Sequence, residues 1–334
     1  MKPVVAERKS IDAVDMFKAA LAVMVIAIHS HLGGIYLYPW LRLAVPSFFL
    51  MSSYFFFSKY RRGGVKSFST RLLGLYAAWF VVLLPVTLYM KRYRWLCGPH
   101  GAAVFLRDLL FGSTFAASWF LSALLLGVLV VYFARKILPS VCIVIMSLIP
   151  FALVCFSSSW AFAVKDCGLL ASVENDISVV MTPQFSVLAS VFWVAVGALL
   201  AEKPVTCNKR TIVFALFAGC AILFLEWLYV YVRTGDFAGD SFFALPFVVI
   251  PLFLLVKASD MKIASAKNLR MFSVVAFPLH YSVIYCIHCI LKRTTIVDGL
   301  GVIRFFSAIA ASIVVVMLIR KAERAGFYVV RWLH

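Results

Sequence analysis

Polar residues fall along this chain at intervals that leave ten apolar runs between them. The runs lie at roughly 15–34, 40–58, 71–90, 118–134, 138–157, 185–201, 211–232, 241–257, 271–291 and 301–319. A helix needs about 20 mostly apolar residues to cross a bilayer. The pattern therefore predicts an all-α integral membrane protein with about ten transmembrane helices. The first run resembles a secretory leader in length, but it lacks a small-x-small cleavage site and nine more runs follow. It is expected to stay as a helix of the mature protein. The longest segments between runs are about 91–117 and 158–184. No Gly/Ser-rich or Pro-rich linker divides the chain, so one transmembrane domain over 1–334 is expected.

Charge then orients the helices. Cytoplasmic loops of membrane proteins carry an excess of lysine and arginine. With both termini in the cytoplasm, 21 of the 32 lysines and arginines fall in inner segments and nine in outer ones. "KRYR" at 91–94 is the main exception. An even number of crossings agrees with termini on one side.

Composition supports the same class. Hydrophobic residues make up 64% of the chain and charged residues 14%, with mean hydropathy +0.99. A soluble domain is nearer half apolar and a quarter charged. The net charge of +18 would suggest nucleic acid in a soluble protein. Here the membrane asymmetry accounts for it, and no nucleic-acid partner is expected. Of the eight cysteines, Cys142, Cys155, Cys220, Cys286 and Cys289 fall inside apolar runs. "CIHC" at 286–289 looks like half a zinc site, but no second pair exists, so no metal is expected. Cys97 and Cys167 fall in the two long outer segments, where two free thiols are expected ahead of a disulfide between them.

Ionisable residues inside spans are rare and mostly functional. Lys18 and His29 stand 11 residues apart on one face of the first helix, about 16 Å along its axis. Asp15, Ala22 and Val25 share that stripe, and His31 points roughly the other way. Either Lys18 snorkels to the inner headgroups while His29 bonds a neighbouring helix, or the pair marks a polar track. Arg42 opens the second run at its outer end, as a membrane-edge anchor or as a functional cation, with Pro46 and Ser53 on its face. Glu226 lies about 15 residues into its run and needs a partner or a proton. His280 falls near mid-membrane, where helix-packing histidines are common.

These residues match a pattern. "IDAVDMFKAALAVMVIAIHSH" followed by "LRLAVPSFFLMSSYFFF" resembles the opening of the membrane acyltransferase-3 family. Its members acylate surface polysaccharides, lipopolysaccharide and peptidoglycan. The family's first helix carries an arginine, ten residues and a histidine. Here Lys18 stands at the arginine position and His29 at the histidine position. Arg42, Pro46, Phe48, Phe49 and Ser52 match the second motif, with Ser53 in place of its glycine. "RLLGLYAAW" from Arg71 resembles the start of the third helix. "SWFLSALLLG" places Trp119, and "SVVAFPLHYSVIY" places His280. The motifs are also similar to those of the membrane half of vancomycin-type serine racemases, which is linked to serine uptake.

The resemblance implies an O-acyltransferase of a bacterial cytoplasmic membrane. It would move an acyl group, acetyl above all, from cytoplasmic acyl-CoA to a hydroxyl of a cell-surface glycan, with no bound cofactor. His29 would be the general base, and Lys18, with Asp15 as its partner one turn away, would hold the donor's thioester arm. Arg71 and the basic inner loop "KYRRGGVKSFSTR" would bind CoA phosphates, unless they serve only as positive-inside anchors. Arg42 would stabilise the oxyanion, with Ser52 and Ser53 as helpers, and Glu226 would orient His29 as the third member of a triad. Trp119 would stack on a sugar or serve as an interfacial belt residue, and His280 would line the pocket. The alternative is a transporter or exporter of a small polar molecule or glycan on the same fold.

Overall fold

The computed structural model describes residues 12–32, 34–58, 64–90, 100–165, 167–203, 205–236, 239–291 and 300–334. Helices dominate. The first half holds α1 (Asp12–Ser30), α2 (Tyr38–Leu41), α3 (Ala44–Ser58), α4 (Gly64–Tyr89), α5 (Gly101–Phe111), α6 (Trp119–Ala134) and α7 (Ser140–Phe156). The second half holds α8 (Ala161–Lys165), α9 (Gly168–Val180), α10 (Leu188–Glu202), α11 (Lys209–Thr234), α12 (Leu245–Lys257), α13 (Ala266–Leu291) and α14 (Leu300–Arg324). A final 3-10 turn spans Tyr328–Leu333.

Each of the ten apolar runs forms helix, but not all are equally long. By length and composition, six helices among the described residues suffice to cross a membrane, or seven if the bent pair Ala171–Phe185 and Leu188–Glu202 is one span. The shortfall against ten lies partly in α6, α7 and α12, with 16, 17 and 13 residues. At 1.5 Å per residue, a 13-residue helix covers only about 20 Å of a roughly 30 Å hydrocarbon core. Local chemistry explains two of the breaks. Pro46 lacks the N–H that would bond the Arg42 carbonyl, and the second run divides there into α2 and α3. Pro246, in the first turn of α12, favours a helix start at Leu245, four residues later than the pattern predicts. The two long segments expected on the outer side are not bare loops, since they hold α5, α8 and α9.

Two helices organise the interior. α1 packs against α3, α13 and α14, and α10 packs against α3, α6 and α7. Small residues permit the closest approaches. A Cβ at Gly197 of α10 would fall 1.9 Å from Ser53 Oγ and 2.6 Å from the Leu50 carbonyl of α3. The outer faces of α11 and α14 instead leave Phe214, Phe217, Phe306 and Met317 exposed, as lipid-facing helices do. The chain is a multi-pass membrane protein.

Candidate functional site

His29 stands in the last turn of α1. The helix stops at His31, which takes a left-handed φ of 54°. Gly301, at the start of α14, lies so close to the Ser30 and His31 carbonyls that a Cβ would sit 3.1 Å from each. Ala117 is the other non-glycine residue at positive φ among the described residues, at 65°. His31 and Ala117 line the same cleft. Strain of this kind persists where surrounding structure fixes it, and it gathers at functional sites.

The imidazole of His29 meets two rings from α13. Its centroid lies 5.0 Å from that of His280 and 5.4 Å from that of Tyr281. His280 is fully buried. Its Nδ1 lies 2.6 Å from the Phe277 carbonyl and 3.1 Å from the Ala276 carbonyl. Carbonyls only accept, so the proton sits on Nδ1. Nε2 then carries a lone pair, and it is buried with no hydrogen-bond partner. An unsatisfied buried acceptor costs about 1–3 kcal/mol.

The polar stripe of α1 opens into cavities at both ends. Lys18 lines a cavity of about 370 Å³ with Ser52, Arg71, Phe120 and Phe277, the inner one in the expected topology. His29 lines a cleft of about 780 Å³ with Trp119, Tyr281, His288 and Arg304, the outer one in that topology. It also lines a smaller chamber of about 210 Å³ with Arg42, Trp119 and Asp240. Aromatic rings stand between the ends. Phe120 and Phe277 lie 4.5 Å apart, and each contacts Phe48 at about 6 Å. Phe277 in turn contacts His280, with centroids 6.1 Å apart. A path of touching rings thus runs from the inner cavity through Phe277 and His280 to His29.

Arg42 is held by partners that the sequence did not reveal. Its guanidinium lies 2.5 Å from Asp240 Oδ1, donates to the Tyr38 hydroxyl, and stacks over the Tyr38 ring at 4.5 Å. Asp240 is placed by a loop whose Asp240 and Ser241 amides donate to Ser158 Oγ at 2.7 and 3.2 Å. Arg42 therefore reaches His29's chamber as an oriented ion pair rather than as a lone cation.

Other expected residues fall elsewhere. Glu226 does not form a triad with His29. Its carboxylate accepts from Trp160 Nε1 at 2.7 Å and from the Phe243 and Ala244 amides at 2.8 and 2.6 Å. Those amides precede α12, so Glu226 caps that helix end, and it lines neither cavity that contains His29. Ser52 and Ser53 diverge because neighbours on a helix point about 100° apart. Ser52 faces the inner cavity, while Ser53 bonds the Leu50 carbonyl at the α3–α10 contact. Neither lines the chamber of Arg42. Asp15 is bidentate to Arg270 of α13, at 2.6–3.0 Å, so this pair joins two helices. Lys18 lies 5.5 Å over the Phe55 ring. Lys66 and Arg71 line an inner cleft. Lys59, Arg61, Arg62 and Cys97 lie outside the described residues, as does "KRYR".

A family model for an acyltransferase domain matches residues 11–321 of the chain. The chain belongs to the acyltransferase-3 family. No curated protein and no solved structure matches it. In this acyltransferase the match takes in both cavities' helices and all of α1 to α13. The cavity-lining residues to which the sequence assigned no role are Asp240, Tyr281 and the pair Arg304–His288, whose nitrogens lie 2.6 Å apart. An acidic residue just outside the eighth apolar run was the available signal for Asp240.

Proposed function

We propose that this acyltransferase is a single-domain O-acetyltransferase of a bacterial cytoplasmic membrane with both termini inside. It moves an acetyl group from cytoplasmic acetyl-CoA to a hydroxyl of a glycan or lipid-linked sugar at the outer face. One observation carries the reading. His29 stands where the outer cleft meets the ring path to the inner cavity, beside Arg42 and Trp119. A base in that position can serve an acceptor from one side and a thioester from the other.

In this scheme acetyl-CoA enters from the inner side, with Lys18 and Arg71 along its path, and its thioester passes the Phe48, Phe120 and Phe277 rings. The acceptor sugar lies against Trp119 in the outer cleft. Its hydroxyl oxygen attacks the thioester carbonyl carbon as a ring nitrogen of His29 takes the hydroxyl proton. Arg42, fixed by Asp240 and Tyr38, donates to the tetrahedral oxyanion. Collapse breaks the carbon–sulfur bond, and the departing thiolate takes the proton back from His29. The products are the acetyl ester and free CoA, with His29 restored. His280 acts through His29 as a positioning residue, since its own Nδ1 is committed to backbone carbonyls.

Purified protein given labelled acetyl-CoA and an envelope glycan acceptor is expected to release CoA and label the acceptor in equal amounts. Uptake of a small solute into proteoliposomes without any CoA release would instead favour a transporter.

A further inference from the structure

The 13 residues beyond the family match, 322–334, fold back under the helices. Trp79 Nε1 donates to the Leu333 carbonyl at 3.2 Å. The Trp332 indole lies on Gly74 of α4, where a Cβ would be 2.2 Å from its ring. Glu323, at the end of α14, holds His334 at 3.1 Å and Arg331 more loosely at 3.8 Å. The segment thus ends against α4 at the inner cavity, which Arg331, Trp332 and His334 all line.

Its position creates a second space. A cleft of about 590 Å³ is lined by Lys66, Ser67, Thr70, Arg71, Arg331 and Trp332. Those residues supply three cationic side chains, two hydroxyls and an indole, with no carboxylate among them. The cleft and the inner cavity share Arg71, Arg331 and Trp332. Beyond them the walls become apolar, with Phe55, Phe56, Phe68 and Leu72, until Lys18. A cationic cleft therefore adjoins a mainly apolar cavity.

We infer that the segment Tyr328–Leu333 is part of the donor site, with Arg331 a phosphate-binding residue and Trp332 a stacking platform for the nucleotide end of a CoA-type donor. This rests on the acyl-CoA reading above. Guanidinium groups suit phosphate oxygens, and an indole face suits a purine. The thin pantetheine arm suits the apolar cavity. A cationic cleft at a membrane face also suits the phosphate of an anionic lipid headgroup, so the test separates the two.

The test uses the full chain in nanodiscs of neutral phosphatidylcholine, with titration calorimetry of adenosine 3′,5′-bisphosphate and of CoA. Arg331→Gln is expected to weaken bisphosphate binding about tenfold, the loss of one charge-assisted contact, with an unchanged melting temperature. Arg331→Lys should weaken it less. Arg331→Gln should also raise KM for acetyl-CoA far more than KM for acetyl-pantetheine, which lacks the nucleotide. Equal bisphosphate affinity in wild type and Arg331→Gln overturns the inference and leaves the donor reading standing. Wild-type protein that binds neither CoA nor the bisphosphate removes both. Loss of bisphosphate binding in phosphatidylglycerol nanodiscs, with no such competition in Arg331→Gln, assigns the cleft to lipid headgroups and overturns it as well.

Discussion

Arg42 and Asp240 form an ion pair at 2.5 Å, with side chains 13% and 28% exposed, in the chamber that His29 also lines. A pair this sheltered is costly to break from one side, because the remaining charge keeps its desolvation cost without its partner. Partial exposure lowers the cost to about 1–2 kcal/mol. Asp240→Asn is therefore expected to reduce acyl transfer at least tenfold by letting the guanidinium shift. Arg42→Lys should do the same, since an ammonium does not reproduce the fork. The double variant should lose less than the product of the two, as partners in one network do. Steady-state rates of the four proteins, with melting curves alongside, decide it. Independent, multiplicative losses would return Arg42 to the role of a membrane-edge anchor.

Glu226 gives a contrasting expectation. Its carboxylate accepts one indole and two backbone N–H groups at the start of α12. Glu226→Gln replaces one accepting oxygen with a donor, and a lost cap of this kind costs about 0.5–2 kcal/mol. The melting temperature should fall, while turnover per folded molecule and its pH profile stay as in the wild type. A collapsed rate with unchanged melting would place Glu226 in the chemistry after all.

What a single sequence revealed divides along a physical line. Helix periodicity is a local property, so the stripe holding Lys18 and His29 was legible, and its two ends do open to different cavities. Contacts between helices are not local. Nothing in the apolar runs says that α13 lays His280 against His29, or that Arg270 rather than a residue of α1 is the bidentate partner of Asp15. Depth alone misdirected Glu226, because a carboxylate in the outer half of a span serves a helix end as readily as a histidine. Ser52 and Ser53 show the same limit at one-residue resolution, since adjacent positions in one motif face different surroundings. The segment at 328–333 carries no periodic signal, and its place under α4 emerges only from tertiary packing.

The expected topology places the start of α9 outside and the link between α10 and α11 inside. Cys167 and Cys207 mark these two places, and both are exposed. In single-cysteine variants on intact cells, a membrane-impermeant maleimide should label Cys167 and spare Cys207 until the membrane is opened. Labelling of Cys207 on sealed cells would reverse the orientation, and labelling of both or neither would change the number of crossings between them.

The central claim is that His29 passes the acceptor's proton during acyl transfer. Its most direct test is single-turnover release of CoA from labelled acetyl-CoA, with excess glycan acceptor, in wild type and His29→Ala. Loss of a general base costs about 10²–10⁴ in rate. His29→Ala should fall by at least that lower factor in the chemical step, while CoA affinity and melting temperature stay as in the wild type. Release of CoA and labelling of acceptor at the wild-type rate in His29→Ala would contradict the account.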